Sequence, residues 1–116
     1  MSRIIIEAST SYLAEDGVMS LLKGGFVAQT ARISYSLNHG LPPFEDTDNY
    51  PLILNGMFGH YSVSIYVTSV TAGYGGTGPH TMVNILKAAG FNFEESDILT
   101  NKKANSSKKI ELTYTR

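Results

Sequence analysis

Residues 73–81 read Gly-Tyr-Gly-Gly-Thr-Gly-Pro-His-Thr, and in this chain they are the residues whose types and spacing most suggest a chemistry. Four glycines in six residues, Gly73, Gly75, Gly76 and Gly78, let the backbone take positive φ and approach another group closely. Pro79 has a preset φ and no amide hydrogen, so it suits the first position of a helix, with Gly78 as a permissive cap. The amides of the glycines, His80 and Thr81 would then converge at the positive end of that helix, where anions are held. The spacing Gly73-x-Gly75-x-x-Gly78 also satisfies the letter of the dinucleotide fingerprint, with Glu94 and Glu95 about 20 residues on. Its late position in a short chain and Pro79 at the helix entry speak against a doubly wound sheet. No Gly-Lys-Ser/Thr closes the run, so it is not a Walker loop.

Around this run the sequence offers groups suited to a nucleotide-like ligand. Tyr74 or Tyr66 would stack on a base, a contact worth about 1–3 kcal/mol. His80 and Thr81 would donate to phosphate oxygens, and Asn84 falls one turn into the helix. Arg32 is an always-charged fork on the polar face of an expected strand, able to grip phosphate bidentately or to pair across strands with Glu7 or Glu111. Lys108 and Lys109 belong to a basic C-terminal cluster with Lys102, Lys103 and Arg116 that could close over the charge.

Catalysis finds little support. The histidines, His39, His60 and His80, lack any HExxH or HxH spacing, and no metal is expected. The absence of cysteine removes thiolate nucleophiles, disulfides and iron–sulfur sites together. No G-x-S-x-G elbow occurs. Glu45, Asp46 and Asp48 share a segment without calcium-loop spacing. A small phosphoesterase with His80 as acid or base is the weakest of the readings, and no cofactor is expected.

These groups need elements to position them. Ile4-Ile5-Ile6 is apolar on both faces, as in a central strand over Arg3–Ala8. Ser9, Thr10 and Ser11 offer helix caps ahead of a stripe at Ala14, Val18, Leu21 and Leu22, which Gly24-Gly25 would stop. From Phe26 to Leu37 the period becomes two, with Val27, Ala31, Ile33, Tyr35 and Leu37 on one face and Thr30, Arg32, Ser34 and Ser36 on the other. Residues 38–50 hold Gly, two Pro and three acids and are expected to form a loop or lid. Pro51–Leu54 reads as a short strand entering a turn at Asn55-Gly56, and His60–Thr71 as a long antiparallel strand. A second helix is expected over Pro79–Ala89, ended by Gly90. Phe91–Phe93 is expected to be extended, residues 97–109 to be a mobile loop, and Ile110–Thr115 to be a last strand.

The expected fold is one α+β domain over residues 1–116: β-α-β-β-β-α-β, an antiparallel or mixed sheet with two helices on one face. Set the short Pro51 strand aside and this is a ferredoxin-like variant. With a net charge of −1 and a globular composition (42% hydrophobic, 16% charged), no global field draws the chain to nucleic acid, which is not an expected partner. Three isoleucines before Glu7 fall short of a signal peptide's core, and no run approaches the roughly 18–20 apolar residues of a membrane span. A cytoplasmic setting and no membrane partner are expected. The functional expectation is a non-enzymatic module that senses or sequesters a small phosphorylated molecule, a nucleotide or nucleotide-derived signal, at residues 73–84, as a possible homodimer or higher homo-oligomer. The alternative is a protein-binding inhibitor or immunity-type module using the acidic-aromatic segment 38–50 with Phe44 and Tyr50 as anchors.

Overall fold

A computed structural model describes residues 2–36, 50–70, 77–99 and 109–116, and the statements below concern those residues. In chain order the elements are β1 (Ser2–Ile6), α1 (Ser11–Lys23), β2 (Phe26–Ser36), β3 (Leu52–Phe58), β4 (Tyr61–Val67), α2 (Thr77–Ala88), α3 (Glu95–Leu99) and β5 (Lys109–Thr115). The strands form one mixed sheet in the order β1-β4-β3-β2-β5. Only β1 and β4 run parallel, with Ile4 opposite Ile65; the other neighbours are antiparallel.

One face of the sheet carries the core. Ile65 and Val67 of β4, Leu52 and Leu54 of β3, and Ala31 and Ile33 of β2 join Ala14 and Val18 of α1 and Met82, Val83, Ile85 and Leu86 of α2 in one buried cluster. Both long helices therefore lie on that face, in a single α+β domain with a mixed sheet. Alternation at period two supplies the sheet side and apolar residues at period 3.6 the helix side, so each element buries one stripe.

Local chemistry sets most boundaries as expected. Thr10 caps α1 by accepting the Leu13 amide at 3.2 Å. Gly90, with φ of 91°, ends α2: its amide reaches the Lys87 carbonyl at 3.0 Å and the Phe91 amide the Leu86 carbonyl at 3.0 Å, the paired bonds of a Schellman motif.

The departures also have local causes. Although β1 is apolar on both faces, it is an edge strand beside β4 only, and its outward Ile5 is 42% exposed. In β2 the register shifts between Ala28 and Thr30, leaving Gln29 as a bulge. The bulge turns Phe26 and Ala28 inward and leaves Val27 exposed, reversing the expected alternation at that end of the strand. Asn55-Gly56 is not a turn, because β3 runs through it to Phe58 and the chain reverses at Gly59 (φ 57°) and His60. Gly56 is needed opposite the bulge instead: a Cβ there would lie 2.0 Å from the Val27 carbonyl oxygen. The strand set aside as short is thus the middle of the sheet.

Strand β4 stops at Val67 rather than Thr71 because Ser69 takes φ of 66°, held by its hydroxyl donating to the Ala8 carbonyl. Residues 91–94 form no strand, and α3 replaces the start of the expected loop. Residues 37–49 and 100–108, where the lid and the mobile loop were expected, lie outside the described residues.

Candidate functional site

Helix α2 begins at Thr77, two residues earlier than the Pro79 start that the sequence suggested. Pro79 thus sits inside the first turn, where a missing amide hydrogen breaks no helical bond, and its ring is buried in the core. This fixes the end of the helix against the domain. Gly78 is half-buried and His80 exposed on the same turn. The first turn carries no acidic residue, so nothing on it offsets the partial positive charge of the helix end.

Two neighbours have other employment. Thr81 is buried at 3% exposure, and in a helix begun at Thr77 its amide donates to the Thr77 carbonyl by the ordinary i→i−4 ladder. Asn84 is exposed and donates from Nδ2 to Glu15 Oε1 at 3.1 Å, bridging α2 to α1. Tyr74, Gly75, Gly76 and Lys108 lie outside the described residues. Lys109 opens β5 opposite Ser36, at the far edge of the sheet.

Arg32 and Tyr66 fall elsewhere. The register sets Ile5, Tyr66, Ile53, Arg32 and Thr113 in one row across all five strands, and Arg3, Ser64, Asn55, Thr30 and Thr115 in the next. Both rows lie on the sheet face opposite the helices, alternating with the core residues. The sheet therefore stands between these side chains and His80, and the structure brings Arg32 and Tyr66 to one face without joining them to α2.

On that face Arg32 Nη2 lies 2.8 Å from Glu111 Oε1, the cross-strand pairing weighed against a ligand role. Tyr66 carries the Arg3 guanidinium 4.8 Å from its ring centroid, and Tyr50 meets it edge-on at 5.2 Å. Tyr50, one of the two aromatic anchors of the protein-binding alternative, is therefore engaged within its own domain. The neighbouring row is linked by hydrogen bonds: the Ser64 hydroxyl donates to Asn55 Oδ1, and Asn55 Nδ2 donates to Thr30 Oγ1 at 3.3 Å. Sequence reading missed Asn55 because Asn-Gly signals a turn, and it missed Arg3 because no periodicity marks a cation over a ring. The alternation of Thr30 and Arg32 with Ala31 and Ile33 did carry the polar face.

The dinucleotide alternative loses its setting. The strand after α2 is β5, which runs against β4 and sits beyond β3 and β2, whereas that motif needs a parallel β-α-β unit. Glu95 belongs to α3 and pairs with Lys87 at 3.0 Å. Among the described residues no three His, Asp or Glu gather as metal ligands, and no helix is long and apolar enough to cross a membrane. Comparison with protein-family models, curated proteins and solved structures gave no match. What remains chemically distinctive is a glycine-preceded helix start, free of acids, with one exposed imidazole.

Proposed function

We propose that the protein is a non-enzymatic binding module that senses or sequesters a small phosphorylated ligand, a nucleotide or nucleotide-derived signal, at the glycine run and the start of α2. The observation that carries this reading is the first turn of α2. It follows the glycines directly, has no carboxylate, shows His80 to solvent and is anchored by the buried Pro79. Amides at such an end hold phosphate without any catalytic group.

The proposed site is narrower than the sequence suggested: Tyr74, Gly75, Gly76, Gly78 and His80, with the basic C-terminal cluster as a source of further charge. Arg32 and Tyr66 are left out because one small ligand does not reach both faces of a sheet. We read the topology as a variant of the ferredoxin-like plan, with β3 inside the sheet and β5 at the far edge. A cytoplasmic setting belongs to the same proposal.

Thermal denaturation against a panel of nucleotides tests it. A ligand at about 100 times Kd adds about 2.7 kcal/mol of stability, a rise of roughly 10 °C for a domain of this size. Gly76→Val or Gly78→Val should abolish that rise while the circular dichroism of the fold persists. A flat response to every phosphorylated compound would end the proposal.

A further inference from the structure

We infer that the outer edge of β5 is a self-association surface, occupied by β5 of a second copy of this chain running antiparallel about a twofold axis at Leu112. Among the described residues β5 has a strand on one side only, β2. The Arg116 amide donates to the Gln29 carbonyl at 2.9 Å, which sets the parity of the ladder, because alternate residues of an antiparallel strand turn both backbone groups to the same side. Leu112 and Tyr114 therefore turn theirs toward β2, opposite Ile33 and Ala31. The Ser34 amide, which bonds the Pro51 carbonyl on the β3 side at 3.0 Å, agrees with that parity. Lys109, Glu111, Thr113 and Thr115 consequently direct N–H and C=O away from the sheet.

Those four outward residues are complementary to themselves. With Leu112 opposite its own copy, Glu111 meets Thr113 and Lys109 meets Thr115, so every outward amide and carbonyl finds a mate and the whole strand overlaps. A shift one way sets Glu111 directly against Glu111, a like-charge pair that costs stability. A shift the other way centres the pairing on Thr113 and strands Lys109. Glu111 already has Arg32 at 2.8 Å within its own subunit, which offsets its repulsion of an incoming edge. The strand carries no proline and no bulge of the kind that protects sheet edges. Leu112 and Tyr114 pack partly on the core and remain half-exposed, so pairing carries the apolar face across the axis.

Because the chain has no cysteine, single cysteines report the register. Across a non-hydrogen-bonded antiparallel pair the two Cα atoms at position 112 lie about 4.5 Å apart, within the span of a disulfide of about 4.4–6.8 Å. Position 113 is displaced by two residues from its own copy, beyond the roughly 7 Å limit. On mild oxidation Leu112→Cys is expected to form covalent dimer at least about tenfold faster than Thr113→Cys. Sedimentation velocity of the unmodified chain should show a concentration-dependent dimer. Thr113→Pro, which deletes an edge amide and leaves the β2 ladder intact, should return it to monomer with unchanged circular dichroism. A chain that is monomeric up to its solubility limit overturns the inference, as does equal cross-linking of the two cysteine variants or a dimer that folded Thr113→Pro leaves undiminished. If Thr113→Pro fails to fold, the cross-linking ratio still decides.

Discussion

At Gly56 one hydrogen atom decides whether β2 and β3 can pair. A Cβ would stand 2.0 Å from the Val27 carbonyl oxygen and 2.9 Å from Ala28 Cα, and both are backbone atoms of the bulged strand, which cannot swing aside. Gly56→Ala is expected to cost about 3 kcal/mol or more, the range of severe single lesions, as a fall in the urea midpoint or a failure to fold. Ser34 presents the reverse case. Among the described residues its Oγ is buried without a hydrogen-bond partner, and such a group carries a desolvation penalty of about 1–3 kcal/mol. Ser34→Ala should therefore raise the urea midpoint, by about 1 kcal/mol after the lost packing is counted; a destabilised variant would show that the hydroxyl has an unrecognised role. For the Arg32–Glu111 pair, whose side chains are 41% and 46% exposed, a double-mutant cycle should return a coupling below about 1 kcal/mol that falls further in salt.

Among the elements, helices were the most legible. The stripe from Ala14 to Leu22 and the Thr10 and Gly24 ends of α1 stood in the sequence because capping and 3.6-residue periodicity are local properties. Thr10→Ala should lower stability by about 1 kcal/mol through loss of the bond to the Leu13 amide, readable as a shifted urea midpoint. Gly17, a poor helix former inside that helix, has a tertiary reason: a Cβ there would come within 3.1 Å of Ile6 Cγ2, so the glycine lets α1 lie close to β1. Strands were less legible where their partners decided the outcome. Nothing local in Phe26–Ser36 announces a bulge, yet that bulge reverses the facing of Val27 and reassigns Gly56 from turn to contact. The neighbours of β1 could not be read from three isoleucines, since pairing order is a property of the assembled sheet. At the candidate site, glycine and proline chemistry marked the helix start to within two residues, but it took Gly78 for the cap where the helix already includes it from Thr77. That Arg32 and Tyr66 lie across the sheet from it was not, because that depends on which face the crossovers cover.

For the whole molecule, one buried cluster takes residues from β2, β3, β4, α1 and α2 together, so these elements should unfold as a unit. Tyrosine emission, usable because the chain has seven Tyr and no Trp, should trace the same urea curve as far-ultraviolet circular dichroism; separate midpoints would mean that an element melts alone. The parallel pairing of β1 with β4 also imposes a schedule. Thr68 closes on Ala8 and Ile6 across 60 and 62 positions of chain, and at a ribosomal pace of about 5–20 residues per second that delay is roughly 3–12 s. During synthesis the isoleucines of β1 emerge well before β4, the strand they pair with, so a nascent chain halted before β4 leaves them unsheltered.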